Sequence, residues 1–314
     1  MAKTYARSGY PRGWFAVSFS DELDATAVKP LEYFGKDLVL FRTESGAPKI
    51  LDAHCPHMGM HMGYGGVVEG EAIKCPFHSW KFNGEGTCVD IPYAKKIPPK
   101  GHAVCWPVRE RNGMIFVWHA SDKSPPDWEM PELGETSHSE WTAWKHEIVE
   151  IKTHPHAIVE NVADTGHFAP VHQTHVESYE AIFEGHTATQ INSGVAYPVG
   201  GGKDAYKLRA TYYGPGVQFT RMDGRLSSML VNAHTPIGEN LLHLRFGVIL
   251  KKGDDENATE EFSNQYVKNL RDGFFQDIAI WEHKIFRERP ALCDGDGPIM
   301  KLRKWYDQFY AAAP

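Results

Sequence analysis

The chain has no surplus of positive charge, no long apolar run and few cysteines, and each shortage narrows what it can be. Lys and Arg number 33 against 40 Asp and Glu, a net −7 at pH 7, which argues against nucleic acid as the main partner. No stretch is apolar enough to cross a bilayer, and Met1-Ala2-Lys3-Thr4-Tyr5-Ala6-Arg7 lacks an apolar leader core. No transmembrane segment is therefore expected, and cytoplasmic residence is. Five cysteines are an odd count that forms no obvious disulfide framework. Repeats and low-complexity tracts are lacking too. What remains is 314 residues, enough for two ordinary domains with buried cores.

Two of the cysteines carry the first signal. Cys55-Pro56-His57 and Cys75-Pro76-Phe77-His78 each join one thiolate to one imidazole. Two cysteines on one iron and two histidines on the other make a [2Fe–2S] centre of the Rieske kind, in which the imidazoles raise the reduction potential. Four such donors also suit tetrahedral zinc. Zinc knuckles, however, group like ligands, and here each half supplies one of each. Pro56, Gly59, Gly63, Gly65 and Gly66 predict tight loops whose amides approach cluster sulfurs, and His78-Ser79-Trp80 predicts a hairpin-like continuation. Cys88, Cys105 and Cys293 receive no role.

From about Tyr10 to His119 the chain reads as short strands separated by turns, such as Leu38–Phe41, Ala72–Lys74 and Met114–Trp118. Ser121–Asp127, polar and broken by prolines, marks the boundary, giving domains at 10–122 and 123–314. Beyond it, strand-like sequence around Trp144 to Lys152 precedes a helical segment near His156 to Phe168. Strands return at 205–213, 217–221, 227–233 and 241–250, and a long helix is expected from about Thr259 to Glu288. The fold class is α+β, a β-rich first domain and a second with an antiparallel sheet.

The second constellation is Glu160–His172. His167 and His172 lie ~140° apart on a regular helix, too far to share an ion. Pro170 cannot donate to the Gly166 carbonyl, which predicts a kink that swings the two rings together. Two imidazoles and one carboxylate would bind a mononuclear Fe(II) and leave positions open for O2. On the late helix, Tyr266, Leu270, Phe274 and Trp281 share a stripe roughly 80° wide, and Asp277 falls inside it. A carboxylate on an apolar face needs a metal or a salt-bridge partner, so Asp277 is the expected third ligand, with a buried ion pair as the competing explanation. Asp164, three residues before His167, is expected to orient that ring and relay electrons to it. Asn161 is a further near-iron candidate, while His154, His156, His175 and His186 are read as non-ligands.

With both motifs in place, the chain resembles the oxygenase components of Rieske non-haem iron oxygenases along nearly its whole length, most closely the bacterial 3-ketosteroid 9α-hydroxylase branch, itself similar to the cholesterol 7-desaturases. Matching stretches outside the metal ligands are Tyr10–Trp14, Ile91–Pro98, Phe183–His186, Tyr212–Pro215, Gln276–Glu282 and Arg303–Tyr310. Phe168–Val171 is less aromatic than in those hydroxylases, and Gly200-Gly201-Gly202 indicates an altered loop. Respiratory Rieske proteins carry an extra cysteine in each cluster loop; the corresponding positions here are Met60 and Phe77, as in the oxygenase type. The resemblance implies an N-terminal Rieske β-domain, a C-terminal helix-grip (START-like) catalytic domain and a homotrimer whose clusters serve neighbouring irons. It further implies O2, an apolar steroid or sterol substrate and a separate NAD(P)H-dependent flavin and iron–sulfur reductase. Oxidation of another sterol position, a smaller aromatic substrate, or plain electron transfer are the alternatives. Phe183, Val195, Tyr212, Phe219, Met229, Val231, Phe246 and Trp281 sit on plausible inward faces and are the candidate substrate wall, although a packed core shows the same apolar bias.

Overall fold

The computed structural model describes residues 9–196, 203–223, 227–253 and 256–310; Gly200-Gly201-Gly202 lie outside them. Two compact units result, one formed by Phe15–Asp127 and the other by the chain from Trp128 onward together with residues 9–14. Among the described residues no helix is long and apolar enough to cross a membrane.

The first unit is built from strands alone apart from one 3-10 turn. They are β1 (Gly13–Phe19), β2 (Val28–Tyr33), β3 (Lys36–Arg42), β4 (Pro48–Asp52), β5 (Val67–Glu69), β6 (Ala72–Lys74), β7 (Lys81–Asn83), β8 (Cys88–Asp90), β9 (Cys105–Trp106), β10 (Val108–Arg111) and β11 (Met114–His119). They form three sheets, ordered β1-β11-β10, β2-β3-β4-β9 and β5-β6-β7-β8. Val39, Phe41, Leu51, Ile73 and Phe82 close a core that also contains Cys55 and Cys75.

In the second unit, β12 (Lys145–Ile151) leads to α1 (Pro155–Val159), a 3-10 turn at Glu160–Val162 and α2 (Phe168–His172). Then follow β13 (Thr174–Glu184), β14 (Thr187–Ala196), β15 (Asp204–Tyr213), β16 (Val217–Asp223), β17 (Ser228–Gly238), β18 (Leu241–Leu250), α3 (Glu256–Trp281) and α4 (Ile299–Asp307). All seven strands make one antiparallel sheet, ordered β12-β18-β17-β16-β15-β14-β13. The sheet packs α3 through Leu242, Leu244, Phe246 and Val248 against Val267, Phe274 and Trp281.

Three expectations need correction. β13 and β14 are strands that sequence patterning misses: β13 is an edge strand carrying Glu177, Glu180 and Glu184, and charges of this kind guard a free edge rather than mark a core. The helix expected from about His156 to Phe168 is broken, because Asp164 Oδ1 accepts from the Gly166 amide in a turn that competes with helical pairing. The long helix stops at Trp281 rather than Glu288. His283 Nδ1 donates to the Ala279 carbonyl there, and Lys284 turns away to Glu160.

Five stretches scattered along the sequence meet at one corner of this unit. The Arg12 amide donates to the Phe309 carbonyl, Trp14 Nε1 donates to the Trp128 carbonyl, and Trp128 stacks on His186 at 5.1 Å. Trp305 Nε1 and Gln308 Nε2 both donate to the Gly185 carbonyl. A Cβ at Gly13 would stand 2.6 Å from Pro215, and one at Gly214 2.9 Å from Trp128, so both positions exclude a side chain.

Glu160 ties the 3-10 turn to the C-terminal segment. Its carboxylate, 8% exposed, accepts from Arg303 at 2.7 Å and Lys284 at 2.9 Å. Burial pushes its pKa up, but Lys284, His156 and Arg303 outweigh burial and leave it below the usual carboxylate value. Removing one partner of such a buried set typically costs about 3 kcal/mol. Glu160→Gln should therefore lower the thermal midpoint at pH 7 by about 6–12 °C. Because the folded pKa is depressed, this contribution is complete above the unfolded value of about 4.3 and fades as pH falls through the folded one. Melting curves should show the gap to wild type closing below about pH 4.

Candidate metal centres

The two cysteine loops of the first unit share one backbone design. The Cys55 amide donates to the Met60 carbonyl and the Gly59 amide returns to the Cys55 carbonyl; Cys75 does the same with Trp80 and Ser79. The fifth residue of each loop turns with a left-handed φ, +77° at Gly59 and +59° at Ser79. A serine held there stores strain of the kind found at functional sites. The second loop joins β6 to β7 with Lys74 opposite Lys81, so the expected hairpin is present.

These loops bring the thiols of Cys55 and Cys75 together, with the His57 and Met58 amides directed at the Cys55 sulfur. Burial raises the Cys55 thiol above its ordinary pKa, so a bound metal must supply the charge that makes it a ligand. The His57 and His78 rings lie 4.6 Å apart, and His57 stacks on Trp80. His57 Nδ1 is buried without a protein partner, as a metal-binding nitrogen is before its ion is added. Among the described residues, no three of these four donors lie within 4.8 Å of one another. A single tetrahedral zinc needs all four that close. Two irons bridged by sulfide, with a sulfur pair at one end and an imidazole pair at the other, fit instead.

In the second unit, His167 immediately precedes α2 and His172 is its last residue. Pro170 is not a kink inside a continuous helix: it occupies the third position of a new one, where no backbone donor is required. The break at Asp164–Gly166, not the proline, frees the two histidines to converge. Their rings meet at 5.2 Å and 79°. Asp277 of α3, 6% exposed, places Oδ2 3.3 Å from His172 Nε2. Donor atoms of His167, His172 and Asp277 all lie within 4.8 Å of each other.

Two of the three donors, His167 and Asp277, are held from behind. His167 Nδ1 donates to the Asp164 carbonyl at 2.6 Å, leaving Nε2 as the free ring nitrogen. Asp164 therefore orients the ring through its backbone; its carboxylate stands 3.7 Å away, too far for a direct bond, and is drawn below its ordinary pKa chiefly by His167. Asn161 Nδ2 donates to Asp277 Oδ1 at 3.2 Å, and Asn161 Oδ1 accepts from Trp281 Nε1 at 3.3 Å. Burial lowers the His167 pKa, yet Asp164 and Asp277 outweigh it and raise the net value. The pocket thus favours positive charge between the rings, which a divalent cation supplies. Two imidazoles, one carboxylate and an adjoining cavity suit Fe(II) with positions open for O2.

That cavity, about 200 Å³, is walled by Ile158, Phe168, Leu208, Leu230, Leu270, Phe274 and Trp281, and floored by Gln190, Gln218, Thr220 and Asn232. Asn232 Nδ2 donates to Gln218 Oε1, leaving the Gln218 amino group and the Asn232 carbonyl for a guest. Of the expected substrate wall, Tyr212 and Trp281 line it. Phe219, Met229 and Val231 do not: Gln218, Thr220, Leu230 and Asn232 are the lining residues, and side chains alternate across a strand. Phe246 lies behind Phe274 at 5.1 Å, Phe183 packs beside Trp305, and Val195 is buried outside the cavity. The amides were missed because an apolar inward face was assumed; a polar residue in step with buried neighbours, such as Gln218 between Val217 and Phe219, was the available signal. His154, His156, His175 and His186 join no metal group among the described residues.

A cluster pocket of mixed sulfur and nitrogen donors in an all-β unit, with a two-histidine, one-carboxylate site on a helix-grip sheet, defines a Rieske-type oxygenase. Residues 13–105 match the Rieske [2Fe-2S] domain, and residues 117–310 match the 3-ketosteroid 9alpha-hydroxylase C-terminal domain. The chain belongs to the 3-ketosteroid 9α-hydroxylase family. It is 35% identical to a 3-ketosteroid-9-alpha-monooxygenase oxygenase component of Rhodococcus rhodochrous, over 97% of this chain and 82% of that one. A counterpart from Mycobacterium tuberculosis is 33% identical over 96% and 82%. Cholesterol 7-desaturase of Ciona intestinalis is 32% identical over 96% of this chain and 69% of its own. Among solved structures, dicamba monooxygenase superposes with a TM-score of 0.77 at 17% identity, covering 96% of this chain and 98% of that one, which establishes the shared fold. The chain is an O2-dependent oxidoreductase of the Rieske monooxygenase type that carries a [2Fe–2S] cluster.

Proposed function

We propose that this chain is the terminal oxygenase of a steroid hydroxylase, with Cys55, His57, Cys75 and His78 holding the cluster and His167, His172 and Asp277 holding the mononuclear iron. The observation that carries the substrate class is the cavity beside the triad, apolar on its walls and lined with uncommitted amides on its floor. A flat hydrocarbon skeleton bearing oxygen at its edge matches both surfaces, and the names of the relatives point the same way. Iron at the triad supplies O2 activation, and the cluster supplies electrons singly. Phe168, Phe274 and Trp281 press the substrate against the floor and exclude water, while Gln190, Gln218 and Asn232 hold its oxygen so that one C–H bond faces the metal.

Electrons reach the cluster from a separate NAD(P)H-dependent reductase. The assembly is a homotrimer in which each cluster serves the iron of the next subunit. Exposed Met58, Phe77 and Tyr93, all in or near the cluster loops, provide apolar surface for such docking. Turnover of the reduced protein with a surrogate reductase and a panel of 3-ketosteroids, sterols and aromatic acids tests the substrate reading. One hydroxylated 3-ketosteroid, formed with NADH use coupled to product, is the expected result. Turnover of aromatic acids alone removes it, a desaturated sterol favours the chemistry named for the Ciona intestinalis relative, and two irons per chain in place of three leave only an electron carrier. Light scattering on the same sample, if it gives a monomer, removes the trimer.

A further inference from the structure

The cavity holds about 200 Å³, below the ~300–1,000 Å³ usual for a ligand of several rings, so a steroid must draw on adjoining space. The floor continues in one direction with polar groups that no described residue satisfies. Asn192 of β14 lies two residues from Gln190 and directly opposite Leu208, and both of those line the cavity. Strand alternation puts Asn192 on the same face. It is 1% exposed, and neither its amide nitrogen nor its amide oxygen has a hydrogen-bond partner among the described residues.

Two register positions further, Tyr206 stands opposite Gly194 on that face, and its hydroxyl too is buried and unpartnered among the described residues. Gly194 puts no side chain between them, and has no room for one: a Cβ there would stand 2.0 Å from the His175 carbonyl oxygen. Burial, then Glu177, raises the Tyr206 pKa, which keeps the hydroxyl a donor. Buried polar groups are almost always paired. Two orphans on the cavity's face of adjacent strands, diagonal to one another and beside a cavity too small for its guest, point to the guest as the missing partner.

We propose that Asn192, with the Tyr206 hydroxyl, extends the substrate cavity and hydrogen-bonds an oxygen substituent of the steroid. The assignment rests on the steroid reading above and adds a residue that determines which oxygenated steroids bind. Calorimetric titration of the full-length, metal-loaded protein, without reductant or O2, tests it. The probes are a 3-ketosteroid with a second carbonyl on ring D and the two analogues that each lack one carbonyl.

Asn192→Leu should weaken the dicarbonyl steroid about tenfold, and Tyr206→Phe should weaken it less. For one analogue, the one without the recognised oxygen, neither variant should change the affinity. Substrate-free Asn192→Leu should melt higher than wild type, because it removes an unsatisfied buried amide. Equal losses for all three probes, no loss for any, or a lower melting temperature would each overturn the assignment while leaving the steroid reading in place. Wild-type protein that binds none of the probes removes both.

Discussion

Replacing His172 with Ala is expected to abolish hydroxylation and reduce bound iron from three to two per chain, with the visible spectrum of the cluster unchanged. The reason is geometric. His172 Nε2 faces Asp277 Oδ2 at 3.3 Å, and the three donors are the only group of their kind among the described residues. Loss of an outer partner such as Asn161 typically weakens a metal about 10–100-fold; loss of a direct ligand should exceed that. The cluster loops belong to another compact unit with its own core, so their spectrum reports folding independently of the iron. Iron analysis and absorbance on one sample decide it. Retained hydroxylation, or a bleached cluster, would remove His172 from the triad.

The second large effect is expected at Asp164. Replacing it with Asn should leave both metals bound but slow electron delivery to the iron by about 100-fold. The two duties of Asp164 separate cleanly in this structure. Its backbone carbonyl holds the His167 ring at 2.6 Å, a bond that asparagine keeps. Its carboxylate makes no direct bond to that ring, lies 3.7 Å away and is 38% exposed, so it has a face free for an imidazole of a neighbouring cluster. Metal content therefore tests the first duty and single-turnover rates test the second. An unchanged rate with full metal would refute the relay, and lost iron would show that the carboxylate holds the ring after all.

Legibility differed between the sites for a physical reason. The proposed cluster ligands are local: Cys-x-His and Cys-x-x-His are each complete within four residues, and their loops are closed by their own turn bonds, with Gly59 and Ser79 in the left-handed position. Asp277 was found at a distance because helical periodicity survives in sequence; an acid in phase with Tyr266, Phe274 and Trp281 has to be paired with something. The route by which His167 and His172 meet was misjudged. Pro170 drew the eye as a helix breaker, yet the decisive event is the Asp164–Gly166 turn, whose side-chain bond has no periodic signature.

The cavity was the least legible part. β14 supplies Gln190 from a strand with no clear apolar alternation, and β16 and β17 turn Gln218 and Asn232 rather than Phe219, Met229 and Val231 toward the cavity. A one-residue change of phase moves every side chain on a strand to the other face, and apolar residues on both faces of this sheet conceal which is inward.

The amino-acid sequence by itself determined the class of chemistry, the residues proposed as donors, and the α+β framework that carries them. Candidate ligands are marked by residue type together with short spacing in the two cysteine motifs and helical phase at Asp277. Tertiary structure alone decided what the triad of His167, His172 and Asp277 faces. Which side of a seven-stranded sheet looks at α3, and which amides are left unpaired beside it, depends on pairing between strands far apart in sequence, and no local pattern encodes that.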